Sequence, residues 1–262
     1  MPLSESELQE LARARHLLEH PGIAARIAGI AGKPIERTLA ALPDRVSSMI
    51  DEIARRSISK ALDVAVKTMD PTRPAAAADW WHKLAAGASG AAGGAFGMAG
   101  LAVELPISTT IMLRSIADIA RSQGEDLKTP ESRLECLHVL ALGGSSKADD
   151  ATDAGYFASR AALAQAIASA SQYLAQHGTA KGSAPVLVRL ISEVASRFSI
   201  AVSEKALAQA VPMIGAIGGG AINALFIDHF QDMGRGHFTV RRLERAHGTD
   251  VVREAYLALP RR

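Results

Sequence analysis

LAAGASGAAGGAFGMAGLAV, residues 84–103, and ALAQAVPMIGAIGGGAINALFI, residues 206–227, run for 20 and 22 residues without a charged side chain. Gly87, Gly90, Gly94, Gly97 and Gly100 recur every three or four residues, which sets them on one face of a helix. Gly90–Gly94, Gly93–Gly97 and Gly215–Gly219 also have G-x-x-x-G spacing. With no Cβ along such a face, two helix backbones can approach closely. An interior glycine costs a helix about 1 kcal/mol relative to alanine, so this many need a packing reason. The expectation is an all-α, compact multi-helix bundle with two central Gly/Ala-rich helices. Gly90, Gly93, Gly94, Gly97, Gly215 and Gly219 would be its packing positions.

Helix signals continue on both sides of these stretches. Ser4–Glu19 carries Leu8, Leu11 and Leu18 at helical spacing and stops at Pro21-Gly22. Pro43-Asp44 opens a second pattern through Val46, Ile50, Ile53, Ile58, Leu62 and Val66, which ends at Asp70–Pro74. That proline-bracketed segment divides an N-terminal helical part, 1–70, packing on a main body, 75–262. Asp79 reads as an N-cap for the first glycine-rich stretch, and Pro106 as the first turn of a helix stopped by Gly124. Thr129-Pro130-Glu131 starts another helix that Gly143-Gly144 closes. Asp149–His177 reads as an alanine-rich helix stopped by Gly178, and Pro185 reopens helix. About eight helices result, with no parallel-sheet pattern.

Composition narrows the function classes. The chain has 262 residues, 48% of them apolar, and a net charge of +2, too weak to argue for a nucleic-acid partner. A single cysteine, Cys136, cannot form an internal disulfide and favours a reducing compartment. Its neighbours Leu134, Glu135 and Leu137 mark it as a small buried hydrophobe. The polar start, MPLSESELQELARARHLLEH, gives no secretion signal, so the expected location is cytoplasmic.

The two glycine-rich stretches are long enough for a bilayer, but their side chains are small. Only Leu84, Phe96, Met98, Leu101 and Val103 are sizeable apolar residues in the first, and Pro212 and Asn223 interrupt the second. Trp80-Trp81-His82-Lys83 resembles an interfacial anchor. Peripheral contact at the inner face of the cytoplasmic membrane fits this better than spanning. Nucleotide binding is excluded at GASGAAGGAFG, which lacks the Walker lysine, a preceding strand and a G-x-G-x-x-G match. The C-terminal part is basic, with Arg241, Arg242 and Arg245 among apolar residues. Such a segment can lie on anionic lipid or form the solvated face of a packed helix.

Polar residues in apolar company form the candidate functional cluster. Glu104 follows directly on the first stretch, where an isolated carboxylate must be paired, protonated or solvated. Thr109, Thr110, Arg114 and Asp118 follow on the same helix, with Arg121 beyond, and suggest an interior charge cluster at the glycine-helix junction. Asn223, Asp228 and His229 stand at the second stretch. Asp228, Asp232 and His237 have no specific metal-ligand spacing, so no metal is expected, and no cofactor. No serine, cysteine or histidine set carries a nucleophile signature.

Several of these phrases occur together. GAAGGAFGMAGLAVELPISTTIMLRSIADIAR, then TPESRLECLHVLALGG, then VPMIGAIGGGAINALFIDHFQDMGRGHFTVRRLER resemble the bacterial EcsC family, roughly from Ala75 to Gly248, with a weaker match before Asp70–Pro74. The resemblance implies a helical, membrane-associated protein and supplies no catalytic roles. It places Glu104-Leu105-Pro106, Leu113–Asp118, Asn223, His237-Phe238 and Arg241–Glu244 in the family pattern. The expected function is non-enzymatic association with a membrane surface or membrane protein, with lipid contact, accessory to transport or envelope maintenance. The rivals are a hydrolase or lipid-modifying enzyme using Glu104, Asp118, Asp228 or His229, and a carrier of an apolar ligand.

Overall fold

The start and stop residues of the sequence mark out eight helices in the computed structural model, which describes residues 3–19, 43–68, 97–144, 155–178, 184–210 and 219–260. They are α1 (Glu5–Glu19), α2 (Asp44–Thr68), α3 (Gly97–Ser122), α4 (Pro130–Leu142), α5 (Gly155–His177), α6 (Pro185–Ala210), α7 (Gly219–His247) and α8 (Thr249–Ala258). No strand occurs among the described residues. Residues 84–96 and 211–218 of the two glycine-rich stretches, including Gly90, Gly93, Gly94 and Gly215, and the Asp79 cap lie outside them.

Local chemistry explains the boundaries. Thr129 caps α4 by accepting the Ser132 amide at 3.2 Å, with Pro130 in the first turn where a missing N–H costs nothing. Gly124 has φ +79°, a left-handed value that ends α3. There the Glu125 amide reaches back to Ala120 and the Gly124 amide to Arg121, at 3.0 and 2.9 Å. Gly178, with φ +66°, does the same for α5.

Pro106 departs from the expectation. It lies inside α3, nine residues after the start, rather than in its first turn. Its ring removes one amide from the helix ladder. Just beyond it, the Thr109 and Thr110 hydroxyls donate to the carbonyls of Leu105 and Pro106 at 2.7 and 2.8 Å. The apolar packing of Leu101, Leu105, Met112, Leu113 and Ile116, all buried, carries the helix through the proline.

α4 holds the middle, in contact with α2, α3, α5, α6 and α7. From Leu134 to Leu142 its sequence is apolar except for Glu135 and His138, and ten of its residues are buried, as a helix so largely apolar must sit. One continuous core joins all the helices, including Leu11 of α1 and Ile50, Ile53, Ile58 and Leu62 of α2. The parts before and after Asp70–Pro74 therefore share one interior. The described aromatics concentrate there: Phe198, Phe226 and Phe230 meet at 5.1–6.0 Å between ring centres. Gly100–Ser122 of α3 has the length and composition of a membrane span, the one such helix among the described residues, yet 56% of its apolar window is buried in the protein.

Candidate functional site

Two buried polar networks interrupt this core. The first is built on α4, where Glu135 and His138 stand three apart and so share a face. On α7, His237, Arg241 and Arg245 recur at four-residue intervals along the face turned to α4 and the α3–α4 turn. α5 adds Tyr156 and Arg160, also four apart. The glycine stop of α3 delivers Glu125, the first residue after the left-handed Gly124.

Glu135 Oε2 lies 3.1 Å from His138 Nδ1 and 3.0 Å from His237 Nε2. Tyr156 Oη lies 3.0 Å from His237 Nδ1, and Arg241 Nη1 is 3.4 Å from Glu135 Oε1. Arg241 also donates to Glu125 Oε1 at 2.8 Å, Ser132 donates to Glu125 Oε2 at 2.9 Å, and Arg245 pairs with the same carboxylate. Beside them Arg160 grips Glu244 through both guanidinium nitrogens, at 2.8 and 3.0 Å.

These neighbours fix the protonation states. Burial works against the charge on Glu135, but hydrogen bonds from His138 and His237 hold its carboxyl well below the usual range. Burial drives His237 down to about 3 despite Glu135, so its ring is neutral. Neutral His237 then donates from Nε2 to Glu135 and accepts the Tyr156 hydroxyl at Nδ1. Burial pushes the Tyr156 phenol up, so it keeps its proton. At Glu125 burial opposes ionisation too, yet Arg241 and Ser132 keep its carboxyl below the ordinary value.

The second network lies where the flanks of the two glycine-rich stretches meet. Lys205 of α6 is entirely buried and donates to Glu104 Oε1 of α3 at 2.6 Å and to Asn223 Oδ1 of α7 at 2.9 Å. Its ammonium also sits 4.7 Å from the centre of the Phe226 ring. Burial pulls the Lys205 amine below its usual value while Glu104 pulls it back up. Three helices are tied at one point by one charge.

The residues singled out from sequence separate into several groups. Glu104 and Asn223 come together, through a lysine whose neighbourhood, Ser203-Glu204-Lys205, reads as an ordinary polar helix face. Thr109 and Thr110 bond to their own helix backbone. Asp118 is exposed and pairs with Arg121, also largely in solvent. Arg114 is half-buried, on the same helix as both groups. Asp228 is exposed, and buried His229 meets the Gly143 carbonyl at 2.9 Å through Nε2. The four groups weighed as acid or base thus stand in separate surroundings. Arg241, Arg242 and Arg245 do not form a free basic strip: Arg241 and Arg245 serve Glu125, and Arg242 pairs with Glu10 of α1 and with Gln123. Carboxylates on neighbouring elements draw them inward.

Glu135, His138, Tyr156, Arg160 and Lys205 escaped the sequence reading. A signal existed for the first two, since they stand in the otherwise apolar run Leu134–Leu142, which points its polar members inward with the rest.

A model of the EcsC protein family matches residues 5–243. No curated protein and no solved structure matches the chain. The matched span starts at the first residue of α1, before Ala75, and takes in Glu104, Lys205, Asn223, Glu135, His138 and His237.

Proposed function

The chain belongs to the EcsC protein family, and from that premise we propose that it is a non-enzymatic helical protein that sits peripherally on the cytoplasmic face of a membrane, accessory to transport or envelope maintenance. The observation that carries this reading is the apolar surface of α3 beside the Lys205 network. Val103 is 68% exposed and Ile107 39%, the former the most exposed large apolar side chain among the described residues. Both lie where α3 leaves a stretch of 20 charge-free residues, and α7 brings the flank of the other stretch alongside. A lipid surface suits small apolar side chains that lack the bulk to anchor a span.

The buried pairing of Arg241 and the engagement of Arg242 and Arg245 make the contact apolar in character rather than electrostatic. Flotation with liposomes of mixed zwitterionic and anionic lipid tests the reading. The protein is expected to float at low and at high salt, and Val103→Asp with Ile107→Asp to reduce the floated fraction several-fold. No flotation at either salt removes the membrane assignment. Flotation lost at high salt transfers the contact to a charged surface elsewhere.

A further inference from the structure

We propose that Glu135, His138 and His237 form a binding site for a single divalent first-row transition-metal ion, which clasps α4 to α7. This goes beyond the membrane reading and does not depend on it.

Glu135-Cys136-Leu137-His138 is a carboxylate and an imidazole three apart on an inward-facing bundle helix. That arrangement presents two ligands side by side to a metal in a helical core. The facing helix supplies the third ligand, His237, 102 residues away in the chain. One candidate ligand atom from each of the three residues lies within 4.8 Å of the others, as ligands of one ion must. Both imidazoles bring a nitrogen within 3.1 Å of the same carboxylate oxygen, so the three ligand atoms are close enough to share one ion. Two imidazoles and a carboxylate select zinc, iron or cobalt over the oxygen-seeking calcium and magnesium.

The surroundings suit an ion. His237 Nδ1 meets the Tyr156 hydroxyl at 3.0 Å, and that hydroxyl can accept as well as donate, so it orients the ring when Nε2 is a ligand. Arg241 steadies the other oxygen of Glu135 and leaves Oε2 to the ion. His138 is held by its edge contact with the His237 ring, 5.4 Å between centres. Around the site four carboxylates, Glu125, Glu131, Glu135 and Glu244, face three guanidiniums, Arg160, Arg241 and Arg245. Both imidazoles are buried, so the ion is taken up as the chain folds.

The test is refolding of the full-length chain from denaturant with excess Co2+, desalting, and measurement of cobalt by mass spectrometry and visible absorption. Roughly one ion per chain is expected, with the absorption of a low-coordinate cobalt site. His138→Gln and His237→Gln should each lose the ion while keeping the helical circular dichroism. Tyr156→Phe should weaken binding about 10–100-fold, as loss of an orienting partner does. Should the ligand variants fail to fold, the wild-type stoichiometry and its melting temperature with and without Zn2+ decide. Wild-type protein that retains no ion and melts at the same temperature in Zn2+ overturns the proposal, as do folded ligand variants that retain cobalt like the wild type.

Discussion

Lys205 and Glu104 meet at 2.6 Å across 101 residues of chain, the amine wholly enclosed and the carboxylate one-third open to solvent. The asymmetry predicts unequal costs for removing either partner. Glu104→Gln leaves an ammonium without its counter-charge in the interior, a change that costs about 3 kcal/mol. Lys205→Met leaves a carboxylate that can turn to water and should cost less than about half of that. Urea midpoints of the two variants check the order; equal losses would place the main burden elsewhere.

The same pair sets a pH dependence. The Lys205 amine is lowered below its usual value, first by burial, while Glu104 restores part of the loss. Without Glu104 the amine falls further. A folded amine titrating below the unfolded one binds fewer protons, so stability rises with pH between the two values. Glu104→Gln should therefore recover stability from neutral pH toward pH 10, more steeply than wild type. Melting temperatures across that range measure it.

How far the sequence speaks is clear at particular residues. Thr129, Pro130, Gly124 and Gly178 act through their own backbone neighbours, so their roles are readable along the chain. Pro106 is misplaced from sequence because a first turn is the ordinary place for a proline, and only the tertiary packing around it carries α3 through. Lys205 was missed for a different reason: its burial depends on the register of α6 against α3 and α7, which no local pattern states. Glu104 and Asn223 were singled out individually as polar groups in apolar company. The partner that joins them was not.

Acid should loosen α1 before the rest. Glu7 of α1 accepts from His247 of α7 at 2.7 Å, and this hydrogen bond, with help from Ser4, lowers the Glu7 carboxyl to about 2. A carboxyl lowered in the fold contributes stability above about 4.5, and the contribution disappears as pH falls toward 2. The adjoining Glu10–Arg242 pair also ties α1 to α7. Hydrogen exchange at decreasing pH, corrected for intrinsic rates, should show α1 amides losing protection ahead of those in α4. Simultaneous loss would mean that α1 is held by Leu11, Ala14 and the Arg15 bonds to the Tyr256 and Leu259 carbonyls rather than by Glu7.

Cys136 should be inert in the folded protein. It is fully buried on α4, its thiol donates to the Ser132 carbonyl, and burial raises it far above the range in which thiolate forms. Labelling with a maleimide should be negligible under native conditions and complete in denaturant. Labelling at a rate comparable to a free thiol would mean that α4 opens readily.

Two glycines two residues apart on α7, and so on nearly opposite faces, should respond to alanine in opposite directions. A Cβ on Gly234 would lie 3.6–3.8 Å from Ile116 and Ile119, ordinary contact distance. Alanine there also removes the backbone freedom of an interior helical glycine, so Gly234→Ala should stabilise by up to about 1 kcal/mol. A Cβ on Gly236 would stand 2.6 Å from Leu18 Cγ and 2.9 Å from the Ala14 carbonyl oxygen, where α1 crosses closest. The leucine can rotate, but the carbonyl belongs to a helix backbone and must shift with it. Gly236→Ala should cost about 1–3 kcal/mol, the range for overfilling a packed contact. Gly144→Ala should be worse, because its Cβ would fall 1.8 Å from the Arg197 carbonyl oxygen with no side chain to yield. Thermal melts should rank the variants 234, wild type, 236 and 144 in falling stability. A destabilised Gly234→Ala beside a neutral Gly236→Ala would mean that α7 is rotated relative to α1 and α3.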